Sequence, residues 1–377
     1  DGEGARKALE KAIELKPDMN EIRLQLGLTY LQLDQDVAAV DTLRAYLAQA
    51  PGNARAGEML AGALCRTGQY AAAAGELAKL EDARQQDAGL GLEYTYTLLR
   101  AGEARAAADL AAPEGTPILS TLFKALARKH AGDPYRPLLD SLDTVEGDID
   151  EECSGTLGTL LFFFGEKDAG KYIVSEMKAF REEGVSSMRI AIVLARAYMI
   201  MEKYADAEAV LSGVAEAHPG DKYPHLYLST VYDELGRFRD AEKHLKRCLE
   251  INPEDAEAMN NLAYLYAVRD TRLDEAETLL KRALEIAPDS GYYLDSLGWV
   301  YYRRGDAGKA IEYIRRAIVA MDHDDAILRD HLGDAYLMKG DTRRAVSEWR
   351  RARRLDPKLE GVQEKIDKHA KKLEKAG

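Results

Sequence analysis

The sequence predicts an all-α chain folded as a solenoid of stacked helical hairpins, and three observations carry that reading. Prolines recur at a fixed spacing: Pro17 to Pro51 and Pro219 to Pro253 are 34 apart, Pro253 to Pro288 is 35, and Pro288 to Pro357 is 69. Small and large apolar residues recur in phase with them. The composition is dominated by Ala, Leu, Glu, Lys and Arg, with only 11 Pro, the balance expected of helices. A period of this length marks a two-helix unit that buries its apolar side only by stacking on further copies of itself.

Each unit is counted so that its proline is the thirty-second residue, and the elements then follow in order. Ala5, Leu9, Ala12 and Pro17 match the second half of a unit whose first helix is missing, so the array is expected to start inside a repeat or with a lone helix. From Asn20, the seventh, eighth, eleventh, twentieth and twenty-fourth places hold Leu26, Gly27, Tyr30, Ala39 and Leu43. Weaker units begin at Ala54 (Leu60, Ala61, Gly68, Ala73, Leu77) and Ala88 (Tyr94, Leu98, Gly102, Ala107). Residues 1–112 thus read as an N-terminal array. Between 113 and 187 the period blurs, with Pro113, Pro117, Pro134 and Pro137 close together and an acidic loop near Glu146 to Glu152. Two degenerate helical pairs fit there, one starting at Glu151 with Leu157, Gly158, Leu161 and Gly165, and a change of curvature or a hinge is expected. Phe162, Phe163 and Phe164 read as core.

The period returns in 188–359. The unit from Met188 gives Leu194, Ala195, Tyr198, Ala207 and Leu211, and that from Lys222 gives Leu228, Ser229, Tyr232, Ala241 and Leu245. From Ala256 come Leu262, Ala263 and Tyr266, then Ala276 and Leu280 after one extra residue. The last two units give Leu297, Gly298, Tyr301, Ala310 and Ile314, then Leu332, Gly333, Tyr336, Ala345 and Trp349. The small residues are needed where two helices touch, while Leu and Tyr fill the space beside them. Leu235-Gly236-Arg237-Phe238, Arg304-Gly305-Asp306 and Lys339-Gly340-Asp341 supply turns within hairpins, and Pro ends each second helix. Residues 360–377 read as an amphipathic capping helix with Val362, Ile366, Ala370 and Leu373 on one face.

This five-place pattern resembles the tetratricopeptide repeat, over nearly the whole chain. The resemblance implies a right-handed superhelix that acts by binding protein segments and is not an enzyme. It also implies a groove lined by the second, fifth, sixth, ninth and twelfth residues of each first helix. Carried over, those places yield the candidate site: Tyr223, Tyr227, Asp233, Asn260, Asn261, Tyr264, Tyr292, Asp295, Trp299, Tyr302, His331 and Asp334. Amphipathic rings of this kind dominate binding energy at protein interfaces. Asn261 matches the sixth-place Asn with which peptide-binding members hold a ligand backbone, but Tyr227, Ser296 and His331 stand at its equivalents. The fifth-place Lys of members that clamp a carboxyl terminus is replaced by Leu226, Asn260, Asp295 and Asp330. A neutral or basic, partly apolar segment therefore suits the groove better than an acidic tail.

Charge and composition narrow the partners. A net charge of −13 disfavours nucleic acid and anionic lipid, although Arg343 to Gly377 carries twelve Lys or Arg against six Asp or Glu. Cys65, Cys153 and Cys248 are too far apart for a zinc or redox motif and read as core residues. The seven histidines show no metal-ligand spacing, and Asp322-His323-Asp324-Asp325 reads as a loop, so no metal or cofactor is expected. No apolar stretch reaches the length of a membrane span, and a chain that begins at Asp1 leaves a leader or lipid anchor upstream open. The stretches Leu294 to Tyr302 and His331 to Tyr336, with Trp349, are similar to the ends of periplasmic repeat lipoproteins, some of which deliver substrates to carboxyl-terminal processing proteases. That similarity implies a periplasmic adaptor. A structural subunit of an envelope secretion or polysaccharide-export assembly, a regulatory domain of an enzyme, and a cytoplasmic location are the alternatives.

Overall fold

The computed structural model describes residues 2–110, 115–321 and 323–374, without the side chains of 150, 151, 154, 162, 163, 166, 167 and 371–374. Pro113, Asp322 and the side chains of Phe162, Phe163 and Leu373 lie outside the described residues. The described chain is helical, without a strand, and divides into two compact units, Asp1–Ala217 and His218–Gly377.

Unit 2 shows the repeat at its most regular. Its hairpins are α16 (Tyr223–Glu234) with α17 (Phe238–Ile251), α18 (Ala256–Val268) with α19 (Leu273–Ile286), α20 (Gly291–Arg303) with α21 (Ala307–Ala320), and α22 (Ala326–Met338) with α23 (Thr342–Leu355), followed by α24 (Val362–Glu374). Among the described residues, helices α1 to α15 precede these in unit 1. Short polar residues start the helices: Asp255 accepts from the Ala258 N–H at 2.9 Å, Asp306 from Lys309 at 3.0 Å, and Asp325 from Ile327 and Leu328 at 2.8 and 2.9 Å. Each such cap satisfies a donor that the first turn leaves without an intrahelical acceptor. Residues 323–325 form the expected connecting loop, which ends in the Asp325 cap, and Asp324 bonds Arg329 and Arg351, both at 2.6 Å.

Gly236, Gly305 and Gly340 turn the chain within hairpins at φ of 68°, 80° and 86°, where a Cβ is disfavoured. The α18–α19 hairpin has no such glycine. It carries the extra residue of the 35-residue spacing, and Asp270 (φ 55°) and Arg272 (φ 47°) take the left-handed conformation instead.

The small residues act as their spacing implies. A Cβ added at Gly298 would lie 2.6 Å from Ile314 Cγ1 and 3.3 Å from the Ala310 carbonyl oxygen, the twenty-fourth and twentieth places of the same repeat. In the last repeat Trp349 takes the twenty-fourth place, fully buried beside Gly333, and its Nε1 donates to Asp334 at 3.1 Å. Val362 and Ile366 of α24 are buried, while His369 tilts over the Trp349 ring at 5.5 Å.

Unit 1 begins as repeats: α1 (Gly2–Leu15), α2 (Asn20–Gln32), α3 (Asp36–Leu47), α4 (Ala54–Arg66), α5 (Tyr70–Ala78), α6 (Glu81–Gln86), α7 (Ala88–Arg100) and α8 (Ala104–Asp109). Next come α9 (Pro117–Ala131), α10 (Arg136–Asp140), a 3-10 turn at Leu142–Thr144, α11 (Ile149–Glu152), a π-helical turn at Cys153–Leu157, α12 (Gly158–Phe164) and α13 (Glu166–Glu182). The unit closes with α14 (Met188–Ile200) and α15 (Tyr204–Ala217).

The departure from periodicity in 117–187 has a physical cause. Carboxylates of the acidic loop cap helices distant in sequence. Glu152, buried, accepts from the Ile118 and Leu119 N–H groups at 3.1 and 2.8 Å, at the start of α9. Asp143 accepts from the Ser187 hydroxyl at 2.6 Å and from the Met188 and Arg189 N–H groups at 3.2 Å, at the start of α14. A negative group suits a helix start both as acceptor and as counter-charge.

The chain then folds α12 onto α4 and α7, which are not its neighbours in sequence. Phe164 stacks on Tyr96 at 5.1 Å, Tyr172 meets Tyr96 edge-on at 5.7 Å, and Arg100 lies over Tyr70 at 4.2 Å while donating to Tyr96 Oη at 2.7 Å. Helices α4 and α7 are accordingly buried on most sides, and α9 and α14 are extensively buried against other neighbours.

Candidate functional site

The first helices of unit 2 (α16, α18, α20 and α22) carry all twelve candidate residues, and the structure sorts them. Tyr264 and Tyr292 present their rings to solvent, 37% and 61% exposed, and Asp233 is exposed. Tyr223, Asn260, Asn261, Trp299, Tyr302 and Asp334 are half-buried. Tyr227 (3% exposed), Asp295 (6%) and His331 (8%) are buried within the chain, which corrects the expectation that they line an open groove.

The reason is contact between successive repeats. Asp295, at the fifth place of one repeat, meets His331, at the sixth place of the next, with Oδ2 and Nδ1 2.8 Å apart. Trp299 stacks on His331 at 4.2 Å and on Tyr302 at 4.6 Å. One repeat further, Lys365 of α24 donates to Asp330 Oδ1 and Oδ2 at 2.8 and 2.9 Å and to Asp334 Oδ2 at 2.8 Å. Asp334 therefore serves Trp349 and Lys365, not a guest. Burial by itself depresses the His331 pKa; the Asp295 charge and hydrogen bond, with Asp330 and Asp334 behind them, override it, and the pKa is raised. Burial likewise raises the Asp334 carboxyl against the opposing pull of Lys365.

Polar side-chain atoms on α18 and α20 are among those the chain leaves unbonded. Asn260 donates from Nδ2 to Asn261 Oδ1 at 3.2 Å, yet Asn260 Oδ1, Asp295 Oδ1 and Trp299 Nε1 are buried without a hydrogen-bond partner. Such atoms are uncommon in native interiors and costly. The phenol of Tyr264 is pushed up in pKa by burial first, then by Asp295 and Asp233, so one carboxylate from the repeat before and one from the repeat after flank it.

Sequence reasoning missed one pair. His225 of α16 and His244 of α17 bring their Nδ1 atoms to 2.9 Å, with Tyr232 stacked on His244 at 5.3 Å. Burial first, then His225, lowers His244 to a pKa of about 4, and burial first, then Arg247, lowers His225 as well. Nineteen residues separate them, and only the register of the hairpin, which sets the fourth place against the twenty-third, could have shown the contact. Among the described residues no group of three His, Cys, Asp or Glu gathers to hold a metal ion, and no helix is long and apolar enough to cross a membrane. The three cysteines are buried and form no disulfide among the described residues.

Comparison with known proteins bears on these repeats. A family model described as the Cilia and flagella-associated protein 70 C-terminal domain, a tetratricopeptide-repeat model, matches residues 103–373, and a tetratricopeptide-repeat model matches residues 1–61. No curated protein matches significantly. Solved structures that resemble the chain include a tetratricopeptide repeat protein from Parabacteroides merdae, 18% identical, covering 74% of this chain and 98% of that one at a TM-score of 0.49. The thermophilic repeat protein TTC0263 of Thermus thermophilus is 19% identical, covering 49% of this chain and 99% of that one at a TM-score of 0.44. Yeast Tom70 is 15% identical, covering 99% of this chain and 85% of that one at a TM-score of 0.40. The match over 103–373 spans most of the chain, which therefore belongs to the tetratricopeptide-repeat family described by the C-terminal domain of Cilia and flagella-associated protein 70.

Proposed function

We propose that the protein is a non-catalytic scaffold that holds a segment of a protein partner along the first helices of unit 2. The exposure of Tyr264 and Tyr292 on successive first helices carries this reading. Large rings left in solvent cost free energy that a partner recovers on covering them. A periplasmic setting and delivery of bound segments to a protease belong to the same reading. They rest on the resemblance of Leu294 to Tyr302 and His331 to Tyr336 alone, and fractionation of cells producing the full chain tests the first of them.

The binding surface is tested by affinity capture with the intact chain and with a Tyr264→Ala plus Tyr292→Ala variant whose helix content is checked by circular dichroism. Specific partners should be retained by the first and lost from the second. Equal capture by both would remove the surface from consideration.

A further inference from the structure

A cavity of about 160 Å³ opens between α16, α17 and α18, and what it accepts deepens the proposed function, on which this inference rests. Ala241, Leu245 and Leu265 form an apolar floor, and Asp233, Asn261 and Tyr264 stand at the rim. The space suits one side chain, long and apolar along its stem.

Charge at the rim lacks its complement. Asp233 pairs with no cation among the described residues. Arg269 is close enough to be felt by that carboxylate, but its guanidinium lies over the Phe238 ring at 3.7 Å. The residue is exposed at the rim, but partial desolvation against the cavity wall, with Glu234 adding to it and Arg269 opposing, holds the Asp233 carboxyl above its ordinary pKa.

The same unit shows how it holds a cation when one is supplied. At Lys365 the ammonium sits on the carboxylates of Asp330 and Asp334 and 5.8 Å from the Trp349 ring centroid. Asp233 and Tyr264 likewise bring a carboxylate and a ring to one cavity.

We propose that this cavity receives one basic side chain, lysine or arginine, of the bound segment. Its methylenes lie along Ala241, Leu245 and Leu265, and its charged head sits between the Asp233 carboxylate and the face of Tyr264.

The test is selection of random dodecapeptides displayed on phage against the full chain, against Asp233→Asn and against Asp233→Lys. Wild type should enrich peptides with Lys or Arg at one position, and Asp233→Lys should shift that position to Asp or Glu. A synthetic peptide from the wild-type selection should bind Asp233→Asn about tenfold more weakly, as one charge-assisted contact implies. Replacing the peptide's basic residue by norleucine should cause the same loss, without altering the protein. Peptides that need Tyr264 but show no basic position, or that keep it on Asp233→Lys, would overturn the inference and leave the proposed function standing. Failure to recover any Tyr264-dependent peptide would overturn both.

Discussion

The two units use one repeat in opposite ways. In unit 1 the first helices α4 and α7 are covered by α12 and buried almost all round, down to a carboxyl, Glu93, that is only 3% exposed. In unit 2 the first helices keep one side open, and it carries rings and carboxylates. The difference is written in side-chain type: Met59, Leu60, Ala61 and Leu64 in α4 leave little for solvent, whereas Asn260, Asn261 and Tyr264 in α18 are amphipathic. A stacked hairpin fixes where surface is created, and these residues decide whether the chain covers that surface or leaves it for a partner.

The largest expected effect comes from uncovering unit 1. Phe164→Ala removes a fully buried ring stacked on Tyr96 and should cost about 3–5 kcal/mol. Hydrogen exchange followed by mass spectrometry should accelerate in α4 and α7 and stay unchanged in α18 and α20. Protection retained in α4 and α7 would show that α12 does not close that surface.

Glu93 sharpens the contrast through pH. Burial first, then Glu58 and Asp87, raises its pKa from 4.5 to about 8. A carboxyl raised in the folded state binds its proton more tightly there than in the unfolded chain. The stabilisation is complete below about pH 4.5 and is lost as pH rises through about 8. At about 1.4 kcal/mol per pH unit, even half of that shift makes Glu93→Gln more stable than wild type by about 2 kcal/mol at pH 8, and little different at pH 5. Urea unfolding at the two pH values measures this, and a constant difference would contradict the burial of the carboxyl.

Within unit 2 the strain of close contact should exceed the cost of altering the open side. Gly298→Ala places a methyl against Ile314 and should cost about 1–2 kcal/mol of unfolding free energy, read from urea denaturation. Tyr292→Ala, at an exposed ring, should change stability by no more than about 0.5 kcal/mol while weakening partner capture. A stability loss from Tyr292→Ala as large as that from Gly298→Ala would mean that the ring serves packing.

Much of this was legible in the residues. The periodic places are set by sterics within one hairpin, so Gly298 against Ile314, and Gly333 against Trp349, follow from spacing alone. The open rings Tyr264 and Tyr292 follow from the family's groove positions. Asp295 and His331 were misread because they pair with each other through Oδ2 and Nδ1, 36 residues apart in successive repeats, a pairing that a place-by-place reading does not contain. The region around the acidic loop was opaque for the same reason: Glu152 and Asp143 act on helix starts 33 to 46 residues distant.

Hydroxyl-radical footprinting of the intact chain, read tyrosine by tyrosine, tests the contrast between the units most directly. Tyr264 and Tyr292 should label quickly, and Tyr96 and Tyr227, buried within the chain, slowly. Labelling of Tyr264 and Tyr292 as slow as that of Tyr96 would contradict an open binding surface in unit 2.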